Sequence, residues 1–334
     1  MSAILVTGGA GYIGSHVVMQ LRAQNEQVVV LDNLSTGFAD AVQDAELVVG
    51  EVGDQALVAE LLAKHQIDTV MHFAARTIVP ESVADPLRYY GNNTCATRNL
   101  LACCRDAGVK HVVFSSTAAV YGIPAGGRCR EDSPTAPINP YGSSKLMSEW
   151  MLRDLAASSD LRYVALRYFN VAGCDRQGRI GQSTEKATLL VKVAAEAALG
   201  RRSQLLVFGS DYDTVDGTGV RDYIHVEDLA RAHLDALTYL RRGGSSETLN
   251  VGYGHGYSVR QVIQAMERAL GASIPVSDQP RRAGDPPELV AECARIKDVL
   301  GWQPELDDLD LICATSLAWE RKLMERDVLQ PSIV

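Results

Sequence analysis

The sequence lacks the features that would assign it to several common classes of protein. Its seven cysteines are scattered and match neither a disulfide framework nor the ligand spacing of a zinc site. No uncharged apolar run reaches the roughly 18 residues that a membrane span requires. The net charge of −9 argues against nonspecific binding of nucleic acid. Internal repeats and low-complexity tracts are absent as well, which leaves an ordinary globular enzyme as the expected class.

The composition is sufficient for a large folded core. The chain has 334 residues, of which 46% are hydrophobic, so we expect two lobes. Its first residues form an apolar run of strand character instead of a signal peptide, and the cytoplasm is therefore the expected location.

A glycine-rich turn follows this first apolar run. Gly8, Gly11 and Gly14 lead from the run into a helical pattern, so backbone N–H groups and the helix dipole are directed at an anion. Asp32 ends the next apolar run, 18 residues after Gly14. A carboxylate there suits the ribose hydroxyls of NAD and repels the extra phosphate of NADP. The motif, its flanking elements and the acid together predict an NAD site.

Strands and helices alternate through the first half of the chain. Six strands are predicted, at residues 1–6, 28–32, 47–49, 69–73, 112–116 and 163–168. Asp54 is expected to cap a helix, and a long helical stretch is expected from about residue 87 to 107. The pattern predicts an α/β fold, a doubly wound parallel (Rossmann) sheet with a smaller C-terminal α/β substrate lobe. Ligands bind such sheets beyond the carboxyl ends of the strands.

The lobes are predicted to divide after residue 175. Residues 1–175 form the NAD-binding domain and residues 176–334 the substrate domain, with some later segments returning to the first lobe. A polar segment at about residues 176–186 marks the start of the second lobe.

Tyr141 and Lys145 are spaced for proton transfer. On a helix they lie one turn apart on the same face, and a cation close to a phenol favours the phenolate. Such a spacing also occurs by chance as a surface pair. Its presence in the same chain as the NAD motif favours a catalytic role.

Seven segments resemble a known family. These are residues 7–16, 31–34, 72–75, 115–122, 141–145, 167–170 and 219–226. They are similar to those of the UDP-glucose 4-epimerase family, in the extended short-chain dehydrogenase/reductase superfamily, and the similarity runs essentially from end to end. The nucleotide-binding segments are common to the superfamily, whereas residues 208–226 are more specific to the epimerases.

The resemblance implies reversible epimerisation at C4 of a UDP-hexose, from UDP-galactose to UDP-glucose. Tyr141 takes the proton of the 4-hydroxyl while the hydride passes to bound NAD, and a 4-keto intermediate turns before it is reduced on its other face. Thr117 shares the hydrogen bond to the same oxygen. Lys145 is expected to lower the pKa of Tyr141 and to bind the nicotinamide ribose.

The resemblance also implies the binding residues. The cofactor contacts are Gly8, Gly11, Tyr12, Ile13, Gly14, Asp32, Asn33, Phe73, Ala74, Ala75, Asn92, Tyr141, Lys145 and Tyr168. The substrate contacts are Thr117, Tyr141, Asn170, Phe208, Arg221, Arg282, Asp285 and Leu289. The two arginines clamp phosphate and Asp285 meets ribose hydroxyls. The family also implies a homodimer that pairs helices at about residues 87–107 and 141–157.

Two positions depart from the family pattern in a way that affects binding. Thr77, after Arg76, replaces a lysine that many members direct at the cofactor, so NAD is expected to be held less firmly. Leu189 replaces a histidine or asparagine near the diphosphate. Lys192 or Lys186 is a candidate to compensate for that loss.

A third departure concerns the sugar pocket and leaves the sugar pair open. Leu289 is intermediate between the tyrosine that narrows the pocket in some members and the small residues that admit N-acetylated sugars. UDP-glucose and UDP-galactose are the expected pair, with UDP-N-acetylhexosamines or UDP-xylose and UDP-arabinose as alternatives. A 4,6-dehydratase would carry carboxylates where this chain has Ala118 and Ala119. A catalytically silent NAD-binding sensor would lack the Thr117, Tyr141 and Lys145 set.

Overall fold

The computed structural model describes residues 2–184, 187–282 and 284–329. The strands within them are β1 (Ile4–Thr7), β2 (Val28–Asp32), β3 (Glu46–Val49), β4 (Thr69–His72), β5 (His111–Thr117), β6 (Arg128–Cys129), β7 (Arg162–Tyr168), β8 (Asn170–Ala172), β9 (Leu205–Phe208), β10 (Val220–Arg221), β11 (Tyr223–His225), β12 (Glu247–Val251), β13 (Tyr257–Ser258), β14 (Val276–Gln279) and β15 (Glu288–Ala291).

The helices cover most of the intervening segments. They are α1 (Tyr12–Ala23), α2 (Gln55–Lys64), α3 (Val79–Ala84), α4 (Pro86–Tyr89), α5 (Ala96–Ala107), α6 (Pro140–Ala157), α7 (Leu190–Ala198), α8 (Val226–Arg241), α9 (Val259–Leu270), α10 (Ala294–Leu300) and α11 (Leu309–Leu329). A π-helical turn, Tyr90–Cys95, joins α4 to α5, so the predicted long helix is present but widened at its centre. Asp54 caps α2 as predicted, since its side chain accepts from the backbone of Ala56 and Leu57.

Seven strands form one parallel sheet in the order β12-β7-β5-β4-β1-β2-β3. Strands β1 to β5 and β7 are the six predicted from the first half of the sequence, and neighbouring strands pair in parallel. The seventh strand, β12, pairs with β7 from a much later part of the chain. The strand order reverses between β1 and β4, which opens a crevice beyond their carboxyl ends. The doubly wound parallel sheet is therefore confirmed.

The apolar strands are buried because both faces of the sheet are covered. In β1, Ile4 and Val6 belong to one hydrophobic cluster, while Leu5 between them belongs to the cluster on the opposite face. Successive side chains of a strand point to opposite faces, so a strand buried on both sides reads as an unbroken apolar run.

Three smaller sheets join later strands of the described chain to one another or to β6 and β8 of the earlier part. Their orders are β13-β10-β15-β6, β11-β8 and β14-β9. In the first of them, β10 pairs in parallel with β15, with Arg221 opposite Leu289. Two residues predicted to contact the substrate are therefore neighbours in one sheet.

A buried ion pair joins α6 to the centre of the large sheet. The Glu149 carboxylate accepts from Arg167 Nε at 2.9 Å and Nη2 at 2.6 Å, and it also accepts from the Ser116 hydroxyl. Arg167 donates in addition to the Tyr121 hydroxyl at 3.0 Å, and Tyr121 donates to Asn250 at 2.6 Å. The network links α6, β5, β7 and β12 through side chains that are all buried.

Two further findings concern the cysteines and the helices. All seven cysteines are free thiols. Among the described residues, no helix combines the length and the apolar character needed to cross a membrane.

Four buried histidines make the fold sensitive to acid. Burial lowers the pKa of His72 to about 3 and those of His16, His225 and His233 to about 4, because the charged imidazolium loses its hydration. Each side chain is almost fully buried. The folded chain therefore keeps these rings neutral at a pH where an unfolded chain protonates them.

We expect the free energy of unfolding to fall as the pH falls from about 6.5 towards 4. In this range the unfolded state binds more protons than the folded state. Each of these histidines therefore lowers the free energy of unfolding by about 1.4 kcal/mol per pH unit. The thermal midpoint at pH 5 should lie well below that at pH 7. His233→Phe removes one of the four groups and should flatten the pH dependence by about a quarter. Equal midpoints at both pH values would contradict the prediction.

Candidate active site

The glycine turn brings three backbone segments into close contact. Gly8 has φ +71°, and a Cβ there would lie 2.5 Å from the backbone nitrogen of Ala74. A Cβ at Gly14 would lie 2.3 Å from the carbonyl oxygen of Gly8. Only glycine allows α1 to begin this close to the turn. Gly11 provides no side-chain cap, so the N–H groups of the first turn, including those of Tyr12 and Ile13, face outward as donors for an anion.

Asp32 lies at the carboxyl end of β2 beside this turn. Its carboxylate accepts from the backbone of Ala10 at 2.9 Å and of Leu34 at 2.8 Å, which fixes its orientation. Asn33 follows with its side chain bonded to Glu51 at 3.1 Å. The carboxylate keeps lone pairs for a ribose diol, as the sequence predicts for NAD.

The loop after β4 completes the rim opposite the glycine turn. The backbone N–H groups of Phe73 and Ala74 both donate to the carbonyl of Thr7, at 2.9 and 3.1 Å. Ala75 continues this loop, and the Phe73 ring packs on His233 with 4.8 Å between centroids. The predicted contacts at residues 73–75 therefore lie directly beside Gly8.

Residues from three segments hold the next part of this loop. Asn93, buried in the π-helical turn, accepts from Arg76 N at 2.9 Å and donates to Arg76 O and to Ser144 Oγ, both at 3.0 Å. The sequence analysis singled out its neighbour Asn92 and missed Asn93. The available signal was the position of Asn93 inside a predicted helix, where asparagine is unfavourable without a specific partner. The Arg76 side chain pairs with Glu81 at 3.6 Å.

Tyr141 and Lys145 project from the start of α6. Asn139 caps this helix by accepting from Gly142 N at 2.9 Å. A Cβ at Gly142 would lie 2.6 Å from the carbonyl oxygen of Ala119, so glycine lets the helix approach the turn that follows β5. As a result the Tyr141 phenol meets the Thr117 hydroxyl, and Lys145 Nζ donates to Ser115 O at 2.7 Å.

Burial is the largest influence on the pKa values of Tyr141 and Lys145 in the chain alone. Burial raises the pKa of Tyr141 above its ordinary value, and the hydrogen bond with Thr117 acts in the opposite direction. Burial lowers the pKa of Lys145 to about 7, against the opposing effect of Glu149. Lys145 is not among the groups that shift the phenol. Its ammonium is bonded to Ser115 O, and the expected lowering of the Tyr141 pKa by Lys145 stays a prediction.

Tyr168 lies at the carboxyl end of β7, next to the same site. Its phenol donates to the Ser115 hydroxyl, and burial raises its pKa. Ser115 therefore connects two of the predicted residues, since its carbonyl accepts from Lys145.

The residues predicted to bind the nucleotide come together from separate segments. Arg221 Nη2 lies 3.8 Å from the Asp285 carboxylate, and Leu289 pairs with Arg221 across β10 and β15. The Arg282 guanidinium stacks 3.7 Å from the centroid of the Phe208 ring. Each of the two arginines is partnered by another residue of the predicted set.

The contacts of Asn170 and of Arg281, the neighbour of Arg282 in sequence, differ in their relation to the predicted set. Asn170 N donates to Asp222 O at 2.9 Å, which joins β8 to the strand that carries Arg221. Arg281, by contrast, pairs with Asp211 at 2.7 Å and stacks on Tyr212. The structure thus distinguishes the two adjacent arginines.

Leu189 and Lys192 lie at the start of α7. Leu189 is partly exposed before the first turn of α7. Lys192 is buried and bonded to Glu320 and to Glu196 at 3.6 Å, so its charge is already neutralised, and the hypothesis that it compensates for Leu189 is wrong. Lys186 lies outside the described residues.

A cavity of about 270 Å³ adjoins the glycine turn at Gly11 and Tyr12. Arg179, Lys192 and Trp319 line its other side, and Tyr141 does not border it. The Tyr12 phenol donates to Gly173 O at 2.6 Å, so its side chain is fixed by protein contacts. This cavity is therefore distinct from the cleft between Gly8 and Tyr141.

The rim fits a dinucleotide. Uncapped N–H groups at α1, the oriented carboxylate of Asp32 and the backbone approach at Gly8 provide the contacts that a pyrophosphate and a ribose require.

Comparison with known proteins agrees with this site. Residues 4–252 match the NAD dependent epimerase/dehydratase family. A UDP-glucose 4-epimerase of Azospirillum brasilense is 55% identical over 321 residues, covering 96% of this chain and 92% of that protein. The crystal structure of UDP-glucose 4-epimerase from Brucella ovis in complex with NAD has a TM-score of 0.93 and 46% identity, covering 95% of this chain and 98% of that one.

A second solved structure is informative for the sugar. The UDP-Glc/GlcNAc 4-epimerase from Campylobacter jejuni has a TM-score of 0.85 and 47% identity, covering 96% of this chain and 100% of that one. Similarity of this extent covers both the nucleotide motifs and the segments beyond them. The chain therefore belongs to the NAD dependent epimerase/dehydratase family and, within it, to the UDP-glucose 4-epimerases.

Proposed function

We propose that this chain catalyses the reversible epimerisation of UDP-galactose and UDP-glucose at C4. It is an NAD-dependent enzyme of the isomerase class, as its relatives at high identity are. Two observations carry the substrate assignment together: the contact of Tyr141 with Thr117 at the end of β5, and the pairing of Arg221 with Asp285 and of Arg282 with Phe208.

The proton is handled by Tyr141. Its phenolate oxygen accepts the proton of the sugar 4-hydroxyl, while the Thr117 hydroxyl donates a hydrogen bond to the same sugar oxygen. In the return step the phenol gives the proton back to that oxygen. Two alanines, at 118 and 119, follow Thr117, so no carboxylate from this turn is available to remove water from the sugar. This favours epimerisation over dehydration.

The cofactor is held by the rim of the large sheet. The glycine turn and α1 bind the pyrophosphate, Asp32 binds the adenosine ribose, and Lys145 binds the nicotinamide ribose. Bound NAD supplies the acceptor and then the donor of the C4 hydride, together with a positive charge that lowers the pKa of a nearby phenol. Lys145, with a pKa of about 7, adds a partial charge of the same sign.

The nucleotide end of the substrate is held by the second set. Arg221 and Arg282 bind the diphosphate, Phe208 provides an apolar surface for the base, and Asp285 meets the ribose. Firm binding at this end leaves the sugar free to turn between the two hydride transfers.

We propose that the two predicted lobes bind different molecules. We assign residues 1–175 to the cofactor lobe and residues 176–334 to the UDP-sugar lobe, with β12 returning to the large sheet. Support comes from β9 and β14, which pair with each other, and from β10, β13 and β15, whose sheet includes a single strand, β6, of the earlier part.

The cytoplasm remains the proposed location. Seven free thiols are typical of a reducing compartment.

The helices α3, α4 and α6 are proposed as the homodimer interface. Val83 is 63% exposed, Leu87 79% and Trp150 46%, and they lie on helices that pack against one another. A group of apolar side chains this exposed is typical of a protein interface. Since the family is expected to form homodimers, we propose that a second copy of this chain covers these side chains.

We expect purified protein to convert UDP-galactose to UDP-glucose, measured by chromatographic separation of the UDP-sugars. Conversion without added nucleotide indicates retained NAD, whereas conversion only after NAD is added ties Thr77 to weak retention.

Tyr141→Phe should reduce turnover by roughly 10³-fold with unchanged NAD content, because only the proton acceptor is lost. Tyr163→Phe, whose hydroxyl bonds to Thr248 on β12 instead, is the matched control and should stay active. Full activity of Tyr141→Phe would refute the proposed role.

Leu289→Tyr is expected to change sugar selection. The added ring volume should lower kcat/KM for UDP-N-acetylglucosamine about tenfold more than for UDP-galactose, a difference of about 1.4 kcal/mol. Leu289→Met conserves the volume and should leave the ratio of the two values unchanged. Equal losses on both substrates in Leu289→Tyr would show that this side chain does not border the acetamido group.

Leu87→Glu should convert a dimer into a monomer, because it places a charge in the proposed interface. Size-exclusion chromatography with light scattering gives the mass directly. Val215→Glu changes a side chain of equal exposure, 80%, in a distant loop and should remain dimeric. A dimer in both variants would exclude this face as the interface.

A further inference from the structure

Asp222 lies at the junction of the residues proposed to bind the UDP-sugar. It follows Arg221 directly and is fully buried. Its backbone N–H donates to Leu289 O at 3.3 Å, and its carbonyl accepts from Asn170 N at 2.9 Å. The main chain of this one residue thus connects three of the proposed substrate contacts.

The carboxylate of Asp222 makes a second set of bonds. It accepts from the backbone of Tyr253 at 2.9 Å, of Gly254 at 2.9 Å and of Ala291 at 3.3 Å. Tyr253 and Gly254 follow β12, the edge strand of the large sheet, whereas Ala291 ends β15. The side chain therefore ties the cofactor sheet to the strand that carries Leu289.

The environment of this carboxylate is unusual for a purely structural aspartate. No salt bridge joins it to a lysine or arginine of the described residues, and burial raises its pKa to about 6 against the effects of its three N–H donors and of His255. A group held in this way keeps its position only while all three backbone donors converge on it. Displacement of the carboxylate would release both β15 and the loop after β12.

We propose that Asp222 is a positioning residue for the UDP-sugar, whose side chain sets Arg221, Leu289 and Asn170 at fixed places relative to the large sheet. It does not contact the reacting C4 of the sugar. This inference rests on the proposed function for the identity of the substrate. Its expected signature is weaker substrate binding with a nearly unchanged chemical step, because Tyr141 and Thr117 belong to the other side of the cleft.

Gly252 offers a way to displace the carboxylate without removing it. A Cβ at this position would lie 2.5 Å from Asp222 Oδ2, well inside van der Waals contact. The added Cβ would also lie 3.0 Å from Ala291 Cβ, so Gly252→Ala presses on the carboxylate and on the end of β15 that it holds.

Asp228 is a matched control. It is also fully buried and accepts from two backbone N–H groups, those of Glu305 at 3.1 Å and Leu306 at 2.8 Å, and from the Tyr253 hydroxyl at 2.8 Å. These contacts tie α8 to the segment before α11 and, through the Tyr253 hydroxyl, to the loop after β12. Asp228 also pairs with Arg231, and none of its partners is a proposed substrate residue. Asp228→Asn therefore reports the general cost of changing a buried carboxylate in this lobe.

The test compares Asp222→Asn, Gly252→Ala and Asp228→Asn with the parent protein. Steady-state kinetics with UDP-galactose should show KM raised about tenfold or more in the first two, with kcat changed less than about threefold. Asp228→Asn should lower the thermal midpoint to a similar degree and leave KM within about twofold. An unchanged KM in folded Asp222→Asn, or an equal rise in KM in Asp228→Asn, would overturn the inference.

Two further measurements keep the outcome decisive. If Asp222→Asn does not fold, Gly252→Ala gives the answer, and an unchanged KM in that variant overturns the inference. Calorimetry with UDP separates this inference from the proposed function. A parent that binds UDP but makes no UDP-glucose refutes the function while leaving the affinity comparison valid, and a parent that binds no UDP refutes both.

Discussion

The buried ion pair between Glu149 and Arg167 is the constraint on which the arrangement of this protein depends. It fixes α6 against β5 and β7, and α6 carries both Tyr141 and Lys145. As a pair, the two buried charges add little net stability, because the cost of removing them from water offsets their attraction. Removing one of them leaves the other unpaired, at a cost of about 3–5 kcal/mol. The helix is therefore confined to one position along the sheet.

The same network extends toward the substrate side of the molecule. Arg167 bonds to Tyr121, Tyr121 bonds to Asn250 on β12, and the loop after β12 donates to Asp222. The catalytic helix and the proposed UDP-sugar contacts are thus joined by buried hydrogen bonds and, between Asn250 and Tyr253, by the main chain at the end of β12. An arrangement of this kind suits a reaction in which one end of the substrate is held firmly and the other end must turn.

The electrostatics of the site link the proton to the cofactor. Burial alone raises the pKa of Tyr141, and Lys145 at a pKa of about 7 carries only part of a charge to oppose it. The chain by itself therefore holds its base in the protonated form. NAD bound at this rim would bring a positive charge close to the phenol, which favours the phenolate form of Tyr141.

The sequence by itself determined the elements whose signals are local. The alternation of strands and helices, the glycine turn, Asp32 at a strand end and the spacing of Tyr141 and Lys145 all follow from backbone periodicity over a few residues. Tertiary structure alone decided which side chains meet across long separations, since burial and ion pairing depend on segments distant in sequence. It separated Arg282 from Arg281, brought β12 into the large sheet, assigned Lys192 to a buried ion pair and revealed Asn93 and Asp222. It also set the burial that raises the pKa of Tyr141, because the loss of water around a phenol depends on the packing of the whole fold.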